Sequence, residues 1–158
     1  MSEKNIHATC VAIGGKGVLL VGPSGAGKSD LALRLIDGGA QLVADDRTIL
    51  FIARGALHAK APASIRGLIE VRGVGIVKMP VRARAGIALV VKLGKEDERL
   101  PVHQSWKAPL AGAANVPQIA LDARFASTPA KIRAALKAFS KGLFRHTHNL
   151  KVEVGNPK

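Results

Sequence analysis

The stretch that most restricts what this chain can become is Gly22-Pro23-Ser24-Gly25-Ala26-Gly27-Lys28-Ser29. It has the form G-x-x-x-x-G-K-[ST], which works only where a strand runs into a tight turn and the turn opens a helix. Both neighbours are present. Val18-Leu19-Leu20-Val21 is an apolar run of strand length, and Leu31, Ala32, Leu35 and Ile36 follow at helical spacing until Gly38-Gly39 ends the pattern. The glycines let successive backbone N–H groups turn inward around a phosphate, and the helix N-terminus adds its partial positive charge. In such a loop Gly22, Pro23, Ser24, Gly25, Ala26 and Gly27 form the cradle, Lys28 reaches the β- and γ-phosphates, and the Ser29 hydroxyl ligates Mg²⁺. The alternative is a glycine-rich turn with an accidental Lys-Ser, and the flanking pattern argues against it. A nucleoside triphosphate is the expected ligand.

With 158 residues, 47% of them hydrophobic, the chain can build one domain with its own core. Residues 1–148 are read as that single domain and 149–158 as a frayed tail. No apolar run reaches transmembrane length, Met1-Ser2-Glu3-Lys4-Asn5 carries no signal pattern, and the lone Cys10 has no internal disulfide partner; a cytoplasmic protein is expected. The net charge of +13 favours an anionic partner. The basic residues are dispersed, and four Phe, one Trp and no Tyr leave few rings for stacking on single strands. A nucleotide or an acidic protein therefore fits better than nucleic acid or a membrane.

Ile6 to Ile13 reads as a strand, and Gly14-Gly15-Lys16-Gly17 as a turn. A hairpin closed at Gly14 and Gly17 would set His7 opposite Ser24, beside the phosphates; the competing reading is a tolerated polar residue in a strand. Gln41-Leu42-Val43-Ala44 is a short apolar strand ending in Asp45-Asp46. Carboxylates at the carboxyl end of a strand point into the ligand crevice of an α/β sheet, and phosphoryl transfer needs acidic groups for Mg²⁺ and for the attacking hydroxyl. A solvated turn is the alternative. Two adjacent carboxylates repel, so at least one needs a partner.

Thr48–Ile52 and Leu57–Lys60, split by Arg54-Gly55, read as a hairpin, and Pro62–Gly67 as a loop. In Leu68–Val77, Glu70 and Arg72 share one face of an otherwise apolar segment, either as a surface ion pair or facing a charged ligand. Met79–Gly86, with Pro80, Arg82 and Arg84, is expected to be a loop. Ile87–Leu93 and Val116–Leu121 are expected strands, Gly94–Arg99 a solvated charged turn, and Trp106 a packing anchor in irregular chain. Thr128 is the expected N-cap, and Pro129 the first residue, of a C-terminal helix. Its stripe of Ile132, Leu136, Phe139 and Leu143 would dock on the sheet. His146 and His148 are poorly spaced for zinc, and no metal is assigned there.

Four of these stretches, taken in order, resemble the HPr serine kinase/phosphorylase family: Ile6-His7-Ala8, the glycine-rich loop through Asp30, Leu42-Val43-Ala44-Asp45-Asp46-Arg47, and Leu68-Ile69-Glu70-Val71-Arg72-Gly73-Val74-Gly75-Ile76. The last is similar to the family signature E-I-R-G-[LV]-G-I. The resemblance implies an α/β P-loop domain with a mixed sheet, similar to the nucleotide-binding fold of phosphoenolpyruvate carboxykinase, and a C-terminal amphipathic helix. It implies ATP and Mg²⁺ as cofactors and a serine of HPr, the phosphocarrier protein of the phosphotransferase system, as acceptor. It makes Lys28 a phosphate ligand, Ser29 and Glu70 metal ligands and His7 an active-site residue. An aspartate of the Asp45-Asp46 pair becomes the proton acceptor, better matched by Asp46. Arg72, Arg82 and Arg84 are candidates for docking phosphate or the acceptor.

The match departs from longer members in two ways. They carry an N-terminal domain, so a catalytic-domain-only form of the alphaproteobacterial type is expected. Their arginine-bearing P-V-R-P-G-R-N stretch is replaced by Pro117-Gln118-Ile119-Ala120-Leu121-Asp122-Ala123-Arg124, so the resemblance implies the kinase direction more firmly than phosphorolysis of phosphoserine. Family members are commonly hexamers, so a homo-oligomer is expected. The competing functions are a nucleotide-binding sensor of the same fold and a phosphotransferase acting on a small metabolite. Retention of Lys28, Ser29, Asp46 and Glu70 together argues against the sensor.

Overall fold

A computed structural model describes residues 2–96 and 99–145. In chain order the elements are β1 (Glu3–His7), β2 (Thr9–Ile13), β3 (Lys16–Val21), α1 (Lys28–Asp37), β4 (Gln41–Ala44), β5 (Arg47–Ala53), β6 (Ala56–Lys60), β7 (Leu68–Val71), β8 (Gly75–Lys78), β9 (Arg84–Leu93), β10 (Gln104–Trp106), β11 (Val116–Leu121) and α2 (Thr128–Lys141). A single 3₁₀ turn, Ala63–Ile65, interrupts the expected Pro62–Gly67 loop.

Among the described residues nine strands form one mixed sheet in the order β1-β5-β6-β9-β3-β2-β4, with β11 beside the second half of β9 and β10 outside β11. β7 and β8 form a separate hairpin. Strands β3, β9 and β11 are parallel to one another, so their carboxyl ends share one edge of the sheet. The sheet curls: β4 approaches β6, and β2 approaches β5, across its concave side.

The continuous apolar run of β3 follows from burial on both faces. Val18 and Leu20 pack with Leu89 and Val91 under Leu31 and Leu35 of α1 and Ile132 and Leu136 of α2. Leu19 points the other way, into the curl, with Cys10, Val43, Leu50, Leu57 and Val90. Complete burial of Leu31 and Leu35 contributes roughly 1.5–3 kcal/mol each, which fixes α1 beneath the glycine-rich loop. Burial in the curl also pushes the Cys10 thiol up to about 12, so this group is inert.

Several expectations are corrected. Ile6 to Ile13 is two strands, not one: β1 pairs with β5 and β2 with β3, and the chain passes between them at Ala8, which is fully buried. Its N–H donates to the Asp46 carbonyl and its own carbonyl accepts from the Thr48 hydroxyl. The β2–β3 hairpin closes at Ile13 and Lys16 around Gly14 (φ 56°) and Gly15 (φ 81°). A two-residue turn with both φ values positive matches the strand twist, and glycine supplies it without strain. The turn has the expected two residues but sits one position earlier, which moves every cross-strand partner by two, and His7 is outside the hairpin, opposite Arg47 of β5.

Other differences are local. Arg84 is already in β9, held by pairing with Lys60, and Val81 bridges to Leu42, so only part of Met79–Gly86 is loop. Trp106 lies in β10 and packs against the concave core. Glu96 is not solvated: its carboxylate accepts from the Asp122 N–H at 2.9 Å and from Lys131 at 3.0 Å. Ser127, not Thr128, precedes the first turn of α2; the buried Thr128 hydroxyl donates to the Asp122 carbonyl at 2.6 Å. Gly142 (φ 62°) ends the helix, which leaves Leu143 exposed. The expectations for His146, His148 and 149–158 lie outside the described residues.

Candidate active site

The glycine-rich loop follows β3 and opens α1. Gly25 (φ 85°) and Gly27 (φ 93°) occupy the left-handed region, and no side chain caps the helix, so its first N–H groups are free for a ligand. Lys28 is buried and donates to the carbonyls of Gly22 (2.8 Å) and Pro23 (3.0 Å), which leaves one of its three N–H bonds for a ligand. Burial lowers the Lys28 pKa; the Asp46 and Asp45 carboxylates oppose that shift.

The carboxylates at the end of β4 divide sharply. Asp45 is buried and accepts three hydrogen bonds: from the Ser29 hydroxyl at 2.6 Å, the Thr9 hydroxyl at 3.2 Å and the Glu70 N–H at 3.2 Å. These donors supply the partner that adjacent acids need. Asp46 is exposed and turned back by a left-handed backbone (φ 69°), a conformation that aspartate tolerates better than most residues. Its N–H donates to the Thr9 hydroxyl at 3.1 Å, and its carboxylate Oδ1 lies 3.1 Å from His7 Nε2. Thr9 thus holds both aspartates at once. Sequence reasoning passed over it, since a threonine inside an apolar strand carries no signal of its own.

His7, Ser24, Gly25, Gly27, Lys28, Ser29, Asp46, Glu70 and Arg72 all line one cavity of about 480 Å³, together with Thr9, Asp30 and Leu33. Gly22, Pro23 and Ala26 complete the loop behind it, where the Ala26 N–H closes a turn on the Pro23 carbonyl. His7 therefore reaches the loop, though not through the expected register. Glu70 and Arg72 do not pair with each other: the hairpin bends after Val71 and both side chains border the cavity. Arg82 and Arg84 are elsewhere, against Gly15 and over the Phe51 ring. A second cavity of about 480 Å³, between β11, α2 and residues 95–96 and 99–104, contains none of the expected site residues.

The donors fit magnesium. The Ser29 hydroxyl, the Asp45 carboxylate behind it and the Glu70 carboxylate are hard oxygens. Among the described residues no group of three His, Cys, Asp or Glu converges to cage an ion alone. Magnesium is bound in this way, by one or two carboxylates with water and substrate phosphates.

The family model for the HPr serine kinase C-terminal domain matches residues 1–120. The chain belongs to this family. It is 42% identical over 113 residues to the HPr kinase/phosphorylase of Caldicellulosiruptor bescii, covering 63% of this chain and 36% of that protein. It is 37% identical over 131 residues to that of Leptothrix cholodnii, covering 74% and 40%. The chain thus matches somewhat over a third of the length of these relatives. The solved HPr(Ser) kinase/phosphatase of Coxiella burnetii superposes with a TM-score of 0.71 at 29% identity, over 95% of this chain and 99% of that one.

As a family member, the chain has its candidate site within the matched 120 residues. The turn after β11 and helix α2 lie beyond them. No described helix is long and apolar enough to cross a membrane.

Proposed function

We propose that this chain is the catalytic domain of an ATP- and magnesium-dependent kinase that phosphorylates a serine of the phosphocarrier protein HPr. One observation carries the reading: the Lys28 loop and the His7–Asp46 pair border the same cavity, with Ser29 tied to Asp45 at its back. A phosphate cradle alone would suit any nucleotide-binding module. An exposed carboxylate beside an imidazole, lining the same cavity, is what an attacking hydroxyl needs.

In this reading Gly22–Ser29 is a P-loop. Its free N–H groups and Lys28 bind the β- and γ-phosphates and stabilise charge on the transferring group. Bound magnesium supplies further charge neutralisation, with Ser29, Asp45 and Glu70 as the residues that would hold it. An ionised Asp46 only accepts, so His7 Nε2 donates to Oδ1 and leaves Oδ2 for the serine hydroxyl. Asp46 takes the serine proton late, as the serine oxygen bonds to the γ-phosphorus and the bond from that phosphorus to the β,γ-bridging oxygen breaks, so that ADP leaves. Thr9 and the left-handed backbone fix the direction of that carboxylate, and Asp45 keeps Ser29 aimed at the phosphates.

The test is incubation with ATP, Mg²⁺ and purified HPr, followed by mapping of the phosphorylated residue. Phosphoserine on HPr is expected. Transfer only to a small-molecule acceptor would replace this reading by a metabolite phosphotransferase, and nucleotide binding without any transfer by a sensor.

A further inference from the structure

Among the residues lining the first cavity the one ring is His7, and it is already paired with Asp46. A candidate surface for a nucleobase lies just outside that cavity. Strands β3, β9 and β11 are parallel, so the segments that follow them emerge at one edge, where open α/β sheets bind ligands. The glycine-rich loop follows β3, and Asp122–Ser127 follows β11. The two segments touch: a Cβ on Gly27 would lie 3.2 Å from that of Ala123.

This second segment is held by several hydrogen bonds. Arg34 of α1 donates to the carbonyls of Ala123 and Phe125, Thr128 N–H donates to the Phe125 carbonyl at 3.1 Å, and Asp122 holds Arg124 through both carboxylate oxygens. That pairing drops the Asp122 pKa to about 2. Despite so fixed a backbone, the segment turns a large apolar side chain outward. Phe125 is 50% exposed, whereas Phe51 is buried and Phe139 and Phe144 meet each other and His103 in tilted and edge-on contacts. Its ring is oriented by the Lys131 ammonium 5.2 Å from the centroid, itself tied to Glu96. A pre-oriented ring with half its surface open, one turn of chain from a phosphate cradle, is a stacking platform.

We propose that Phe125 stacks on the base of the nucleoside triphosphate and so separates nucleotides from bare polyphosphate. This inference rests on the kinase reading of Gly22–Ser29, and it assigns a role in a region beyond the residues matched by the family model.

The experiment compares the affinity of ATP and of inorganic tripolyphosphate, both with Mg²⁺, for the wild type, Phe125→Ala and Phe125→Trp, with thermal unfolding as a control for folding. Phe125→Ala should weaken ATP about five- to tenfold and leave tripolyphosphate within about twofold. Phe125→Trp should restore ATP affinity, and its fluorescence, measured against the wild-type background, should respond to ATP but not to tripolyphosphate. Unchanged ATP affinity in Phe125→Ala, or equal weakening of both ligands, would overturn the stacking role and leave the phosphate loop standing. A wild type that binds neither ligand would overturn the loop itself.

Discussion

The back and the rim of the cavity are built on opposite principles, although adjacent residues represent them. At the back, Asp45 is buried and every donor near it is engaged: Ser29, Thr9 and the Glu70 N–H. At the rim, Asp46 is exposed, its carboxylate meets only His7 among the described residues, and Val74 and Ile76 of the neighbouring hairpin stand open to solvent. Buried polar networks are stable only when satisfied, whereas a group that must exchange a proton with an incoming hydroxyl has to remain reachable. On the proposed kinase reading, the difference separates holding the phosphates from receiving the acceptor hydroxyl.

The strongest way to break this comparison is Asp46→Asn. Asparagine tolerates the same left-handed backbone, so the variant removes charge rather than shape. Transfer should fall by about a thousandfold or more while ATP affinity changes by less than about twofold. Equal loss of both, read by single-turnover transfer and calorimetry, would merge the two regions into one.

Next in size is Lys28→Met. Lys28 is a buried cation whose pKa is lowered by burial, so its charge is a cost in the free protein. The variant should lose triphosphate affinity by about a hundredfold, yet its melting temperature without ligand should hold or rise. A clear drop in melting temperature would show that the lysine is part of the fold rather than of the site.

The smallest effect, Thr9→Val, sharpens the boundary itself. Thr9 donates to Asp45 and accepts from the Asp46 N–H, so its loss strips one bond from each side. Unfolding in urea should show a cost of about 1–3 kcal/mol. Transfer should fall more than ATP affinity does, because the aim of Asp46 relaxes.

What could be read from residues alone follows where punctuation was dense. Gly38-Gly39 and the apolar face of Leu31 and Leu35 mark α1, and the four-residue run before Asp45 marks β4 with its observed bounds. The break at Ala8 left no mark, since no glycine or proline interrupts a stretch whose two halves both favour strand; only the exchange of partners, from β5 to β3, divides it. Pro80 and the arginines around it suggested loop, but pairing with β6 and the bridge to Leu42 supply the order that local composition lacks. Glu96 looked solvated for a similar reason. Its partners, Asp122 and Lys131, are distant in sequence and arrive only through the parallel pairing of β9 and β11.

Ala8 has a further consequence. The strand bearing His7 is joined to the strand that pairs with β3, which feeds the glycine-rich loop, by this one residue, sealed from solvent and bonded through both its amide and its carbonyl. The tether is too short to absorb an insertion or a deletion. Variation compatible with this arrangement must come by exchange of side chains, because here the count of peptide units is itself part of the chemistry.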